Sequence, residues 1–465
     1  MKQINIRNKI ENLTLANIFY YIVILWAASL HFYFDLFIFD NKIRMSTSDF
    51  LIPVIVGFLL LANHRLQNLI KQIDSRILLI ILCISVWILF SLVIGKVNYN
   101  VWNAWALYNK TIGWFVLITY FFLGFAVTVI YRESELFVKS LIFVGVLISL
   151  FFLFRYSFHY FGIHRDYSLE RIEGYFTNPN AFSFMISILL IFQLVMLNCK
   201  YKINKWILAT GIAICALTLA LSGSRSAFLG LAFSAPFLLL MNQLRVKSII
   251  FIFASAITVI SIVIGTTYLV RNVISTIDPT VSFIDPTRKE NCDNEGEIFE
   301  NHCWKEYGVY VLRDDYLDIG VNSRIEHTKR AIELFKIHPI TGTGLGGFIQ
   351  EQIGNKCSIC FQTVTSKDHP YSTLHTTGLW IATEMGIIGA LLFMALFLYL
   401  LKIMWQHRDD EKYSHYFISM IGVMILFAGV TIGTDVLYQR YLWVLFGIAA
   451  GLSYITKREF VKEGL

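Results

Sequence analysis

Residues 77–95 read ILLIILCISVWILFSLVIG, a run without one charged side chain. About 20 such residues in a helix cross the roughly 30 Å hydrocarbon layer of a bilayer. Blocks of the same kind recur outward in both directions, near 14–32, 48–63, 111–131, 137–156, 181–198, 206–222, 226–243, 249–270, 378–403, 416–434 and 438–455. Hydrophobic residues make up 56% and charged residues 15% of the 465 positions, a balance foreign to a water-soluble globular domain of that length. The fold class expected is an all-α polytopic membrane protein of about twelve transmembrane helices.

The formal charge of +7 raises the question of nucleic acid. Lys and Arg sit in short runs between apolar blocks, however, and not along one stripe, so they read as topology signals and no nucleic-acid partner is expected. The basic start (Lys2, Arg7, Lys9) leads into an apolar block with no small-residue cleavage site behind it, so the first helix is expected to stay as an anchor. With the amino terminus inside, the segments Arg65 to Arg76, Lys200 to Lys205, Arg245 to Lys247, Arg408 to Lys412 and Lys457 to Lys462 are cytoplasmic, as the positive-inside bias requires. The same count puts outside the segments 32–47, 96–110 and 155–180, the tight turn Ser222 to Arg225, and one large loop. The chain thus divides into helices 1–9 with short loops (1–270), the large external loop (271–374), and helices 10–12 with a cytoplasmic tail (375–465).

The loop carries four of the seven cysteines: Cys292, Cys303 and the C-x-x-C pair Cys357 and Cys360. In an exported loop they read as disulfides, most simply 292–303 and 357–360. A four-cysteine zinc site is the competing reading, with the wide Cys292–Cys303 spacing against it. Within the loop, NSRIEHTKRAIELF (322–335) places Ile325, Ala331, Ile332 and Phe335 at helical spacing, which suits a helix lying along the membrane surface.

Four motifs carry candidate chemistry, all on the outer side. Ser222-Gly-Ser-Arg225-Ser226 joins two apolar blocks with almost no loop and sets a guanidinium at the membrane mouth. Such a charge faces a cavity or an anion, or it snorkels to the surface. Flanking serines and a helix start favour phosphate oxygens. Arg171-Ile-Glu-Gly-Tyr-Phe-Thr-Asn-Pro-Asn180 reads first as a turn and helix start, with Arg171 able to add a second positive charge. Arg324 is followed by His338-Pro-Ile-Thr-Gly342-Thr-Gly344-Leu-Gly346-Gly347-Phe348. The G-x-G-x-x-G string is not a dinucleotide site, because no strand leads into it and no βαβ unit follows; it reads as a tight turn near the bundle. Last comes Asp368-His369-Pro-Tyr-Ser-Thr-Leu-His375-Thr376, where the loop re-enters the membrane. His375 can take a proton from a hydroxyl or cap a helix. Glu384, about two and a half turns deeper and on another face, is assigned to structure. His338, His369 and Asn180 are supporting candidates.

Together R-x-x-G-x-F-x-N-P-N (171–180), S-G-S-R-S-A (222–227), R-x(13)-H-P-x-x-G-x-G-x-G-x-F (324–348) and H-x(8)-E-x-G-I-I-G (375–389) resemble the O-antigen ligase and polymerase superfamily of bacterial envelope glycosyltransferases. The resemblance implies a multi-pass inner-membrane transferase with a GT-C-like helical fold. Its active site would face the periplasm and work without metal or other cofactor. The donor implied is a glycan on undecaprenyl diphosphate and the acceptor a sugar hydroxyl of lipid A–core, with membrane lipid around both. Arg225 and Arg324 match the family's diphosphate-holding arginines, with Arg171 a further candidate, and His375 matches its base. An O-antigen ligase is the reading adopted. A polymerase joining repeat units on the carrier stays open beside it. A secondary transporter would show two related halves with midplane binding residues, and no such repeat is visible.

Overall fold

The computed structural model describes residues 18–38, 41–61, 69–160, 171–176, 178–198, 204–241, 246–277, 314–353, 374 and 376–463. Helix α1 (Ile18–Ser29) leads into an antiparallel hairpin, β1 (Tyr33–Ile38) with β2 (Asn41–Ser46), registered Tyr33 opposite Ser46. α2 (Ile52–Leu61) and α3 (Ser75–Tyr99) follow. α4 (Gly113–Ala126) is prolonged by wide π-type turns, Ala106–Ile112 and Val127–Tyr131, into one rod. Then come α5 (Ser134–Tyr160), α6 (Pro179–Asn198), α7 (Lys205–Ser222), α8 (Arg225–Leu240) and α9 (Val246–Ile277). α10 (Asp314–Ile337) and short α11 (Gly347–Ile353) precede α12 (Thr377–Gln406), α13 (Ser414–Val430) and α14 (Arg440–Glu463).

The chain is an all-α polytopic membrane protein apart from that hairpin, and each of the twelve apolar blocks coincides with a helix. Among the described residues six helices are long and apolar enough to cross a membrane: Ser75–Tyr99, Ala106–Tyr131, Ser134–Phe158, Pro179–Asn198, Lys205–Ser222 and Thr377–Gln406. The hairpin is a departure, since residues 32–47 were expected only as a short connection.

Helix starts follow local chemistry. Asn178 accepts from the Asn180 N–H at 2.9 Å, with Pro179 as the first helical residue of α6, where a missing N–H costs nothing. Ser224 caps α8, and Gly223 ends α7 at φ 60°, a conformation glycine adopts freely. α6 is the central helix, with 89% of its span buried. α4 and α14 cross in close contact: a Cβ on Gly447 would meet the Phe121 carbonyl, and the Trp114 and Trp443 rings meet edge-on at 5.1 Å. Small residues permit such backbone approach in membranes.

The glycine string has a mechanical role. α12 breaks at Gly386, which has φ 66° and ψ −170°. The break frees the Thr383 and Glu384 carbonyls, which accept from Thr343 N at 2.9 Å and Gly344 N at 3.0 Å, while Ile387 N donates to Pro339 O at 2.9 Å. These backbone groups at the break are thus satisfied within protein, as lipid demands. Leu345 N donates to Ser91 O of α3 at 2.9 Å, so the loop is wedged between α3 and α12. Gly344, at φ 89°, lies so close to the Gly95 backbone that no Cβ fits. On α10, Ala331 and Leu334 are buried whereas Ile325 and Ile332 are exposed. The buried stripe is therefore rotated from the expected Ile325, Ala331, Ile332 and Phe335 set, because the helix packs its Ala331 carbonyl against the Thr383 hydroxyl of α12, 3.2 Å away.

A candidate active site at one end of the bundle

The α7–α8 turn, the start of α6, the start of α12 and the turn between α13 and α14 meet at one end of the bundle. A chain of side-chain hydrogen bonds ties these ends together. Ser224 Oγ donates to Asn180 Oδ1 at 2.9 Å and lies 3.2 Å from Ser226 Oγ, which in turn is 2.8 Å from Thr434 Oγ1. Thr377, the first residue of α12, donates through its N–H to Thr431 O at 3.2 Å and through its hydroxyl to Asp435 Oδ1 at 3.0 Å. The start of α12 is thereby docked on the α13–α14 turn, and that turn on the Ser222–Ser226 turn.

Asp435 also takes the Lys110 ammonium, at 2.8 Å. Lys110 sits in the π-type turn ahead of α4, with its side chain 4% exposed. Its ammonium lies 3.7 Å from the Trp380 ring centroid, 4.5 Å from Tyr438 and 4.7 Å from Trp105. A buried cation is tolerable when ion pairing and aromatic faces replace water together. A second pair lies nearby: Arg440 grips Asp49 through Nε at 2.8 Å and through NH2 at 2.8 Å, and Tyr120 donates to the same carboxylate at 2.7 Å.

Arg171 donates through Nε to the Ser222 carbonyl at 2.7 Å. It packs over Gly223, two residues before Arg225, and so belongs to the same turn. Arg225 is the first residue of α8 and is exposed. Among the described residues no carboxylate pairs with it. His338 lies half-buried at the end of α10, where its carbonyl accepts from Gly342 N at 2.9 Å. Glu384 is buried inside α12, with Oε2 accepting from the Trp380 indole at 2.8 Å and from Gly346 N at 3.0 Å. The backbone of Arg324 belongs to α10; its side chain lies outside the described residues, as do His375, His369, Cys292, Cys303, Cys357 and Cys360. Arg330 on the same helix pairs with Glu333 at 3.3 Å and Glu351 at 3.0 Å. Among the described residues no three metal-binding side chains gather in one group.

Sequence reasoning passed over Lys110, Asp435, Asp49 and Arg440. The signal was present: Asp49 and Arg440 are ionisable residues inside apolar blocks, and Lys110 and Asp435 sit one residue beyond them, where a charge needs a named partner.

An apolar groove of about 350 Å³ runs between α5, α7 and α9, walled by Leu153, Tyr156, Leu217, Leu221, Val259 and Val263. It reaches this end of the bundle at Leu221, beside the Ser222 carbonyl held by Arg171.

Residues 210–394 match the family model described as O-antigen ligase. The match spans under half of the chain, so it is a likeness of that stretch to the family. It supports membership of the superfamily that the four motifs resemble, and an O-antigen ligase-type or related polymerase function, which is a glycosyltransferase-like activity. Lipid-linked glycan and lipid A–core are the substrates this family implies in general. The matched stretch contains Arg225, Arg324, His338, His369, His375 and Gly386; Arg171, Asn180, Lys110, Asp435 and Arg440 lie outside it. No curated protein matches the chain.

Proposed function

We propose that the protein transfers a glycan from undecaprenyl diphosphate to a sugar hydroxyl of lipid A–core, at the periplasmic face of the inner membrane and without metal. The observation that carries this reading is the hydrogen-bonded chain from Asn180 through Ser224, Ser226 and Thr434 to Thr377. It couples the turn that presents Arg225 to the residues immediately following His375. The apolar groove at Leu221 suits a polyprenyl chain whose diphosphate would emerge beside Arg171 and Arg225.

The chemistry follows from those residue types. As the bond from the anomeric carbon to the diphosphate oxygen breaks, negative charge grows on the leaving group, and guanidinium groups of Arg225, Arg324 and Arg171 stabilise it without reorganising. His375 accepts the proton of the acceptor hydroxyl, whose oxygen forms the new bond from the opposite face and inverts the configuration. The leaving carrier keeps both phosphates. His338, His369 and Asn180 are assigned supporting roles in this proposal, with His369 outside the described residues.

The test is the lipopolysaccharide profile of a deletion strain complemented with wild type or with His375→Ala, at matched membrane levels. Bare lipid A–core in the deletion and the His375→Ala strains, restored by wild type, is the expected result. Core carrying a single repeat would assign the polymerase reaction instead. Full-length O-chain with His375→Ala would remove the base.

A further inference from the structure

A cleft of about 480 Å³ opens at the opposite end of the bundle, between the start of α3, the end of α12 and the last turns of α14. Arg76, Lys402 and Lys457 line it together with Tyr399, Gln406 and Asp74. Asp74 is the one acid among the lining residues, and its carboxylate is already engaged. One oxygen caps α3 by accepting from Arg76 N at 2.9 Å, and the other accepts from the Tyr399 hydroxyl at 2.8 Å. Three cations therefore face one space against a carboxylate whose two oxygens are both bonded. Their field reaches a neighbour: burial first, and then the Lys457 ammonium, lower the pKa of His407 at the end of α12, with Asp410 opposing.

The surroundings decide what kind of anion fits. One and two turns from Ser75, Leu79 and Leu82 on α3 are exposed, as is Leu398 one turn before Lys402 on α12. Both helices are long and apolar enough to cross the membrane, so a bilayer around them would set acyl chains against these exposed side chains, within two turns of the cations. A free phosphate would use the charges alone. A phospholipid would use the charges with its headgroup and the exposed leucines outside the cleft with its acyl chains.

We propose that this cleft holds the phosphate headgroup of an anionic membrane lipid, Arg76 forking onto phosphate oxygens and Lys402 and Lys457 acting as point charges beside it. The site is separate from the candidate active site and does not depend on the transferase reading. Each basic residue at a charged surface contributes a factor of about five in binding, and three about a hundred.

The test uses the full-length protein in nanodiscs of phosphatidylcholine containing graded phosphatidylglycerol, with bound lipid counted by native mass spectrometry. Arg76→Ala, Lys402→Ala and Lys457→Ala should each weaken phosphatidylglycerol retention severalfold, and the triple variant about a hundredfold. A control triple variant with the same charge loss elsewhere, Lys139→Gln, Lys205→Gln and Arg408→Gln, should change it less than about threefold. Lys402 and Lys457 are exposed, so their variants remain folded and readable should Arg76→Ala prove unstable. Equal losses in both triple variants would overturn the site in favour of diffuse attraction. Displacement of the lipid by millimolar inorganic phosphate would overturn the lipid in favour of a free anion.

Discussion

Replacing Lys110 by Met removes one ammonium and keeps most of the side chain's length among Trp105, Trp380 and Tyr438. Removing one partner of a buried ion pair costs about 3–5 kcal/mol, mostly because the other charge is left behind. Here Asp435 retains 22% exposure and keeps bonds from the Thr377 hydroxyl at 3.0 Å and Leu437 N at 3.3 Å, which points to the lower end, about 3 kcal/mol. Three aromatic faces around the ammonium add up to about 2 kcal/mol that Met recovers only in part as packing. Lys110→Met should therefore destabilise by about 3–4 kcal/mol, whereas adding Asp435→Asn should return about 2 kcal/mol of that by removing the stranded charge. The assay is reversible unfolding in mixed micelles, read by tryptophan fluorescence for both single variants and the double variant. A loss under about 0.5 kcal/mol for Lys110→Met, or a coupling energy below that value, refutes the argument that this pair anchors the α12 start.

Further outcomes rest on other contacts. Gly344→Ala should lower stability by about 2–4 kcal/mol, combining a left-handed backbone with overpacking against α3, while Gly57→Ala, with nothing within 4 Å of its Cβ, should be neutral or slightly stabilising; equal melting temperatures for the two would contradict the wedge. Glu384→Ala strands two buried donors, at a cost of about 2–5 kcal/mol, whereas Glu384→Gln can keep both on its carbonyl oxygen; glycan transfer should survive in folded Glu384→Gln protein, and its loss would give the carboxyl a role beyond structure. Arg225→Lys and Arg324→Lys should reduce transfer nearly as far as the Ala variants if guanidinium forks grip the diphosphate, and full activity with Lys at both would reduce them to point charges. Transfer by purified protein should be unchanged by EDTA, and a loss restored by divalent metal would replace the arginine-based mechanism.

The helices were legible because each apolar block repeats one strong signal, chain length against bilayer thickness. Their ends were legible where a short motif has one physical meaning, as with Asn178-Pro179 and Ser222-Gly223-Ser224. The tight-turn reading of Gly342–Gly347 anticipated the wedge against α12, yet the break at Gly386 that receives it could not be foreseen. Gly386 lies in an apolar run, and only the partner loop makes its positive φ worth adopting. The hairpin escaped for a similar reason: two six-residue strands beside long apolar blocks add little periodic signal. Lys110 with Asp435, and Arg440 with Asp49, are joined across 325 and 391 positions, and no local pattern announces such pairing.

Those distant pairs change how the remaining charges should be read. At the candidate end of the bundle Lys110, Arg440 and Arg330 each have a carboxylate within 3.3 Å, so their positive charge is largely cancelled where it stands. Arg171 is turned onto the Ser222 carbonyl, which fixes it against the same turn. Arg225 stands exposed on the adjoining helix start, with no described carboxylate against it. Positive potential at this end therefore concentrates around the 222–225 turn, next to a groove whose walls are apolar. The donor proposed above, a negative head on a long hydrocarbon tail, has the chemistry that such a juxtaposition would take. The same sorting separates the two classes of variant by experiment. Disrupting a paired cation should act through stability, whereas replacing Arg225 should lower transfer in protein that unfolds like the wild type. Should Arg225→Ala instead unfold the protein as readily as Lys110→Met while donor binding persists, the uncompensated charge is structural and the anion must bind elsewhere.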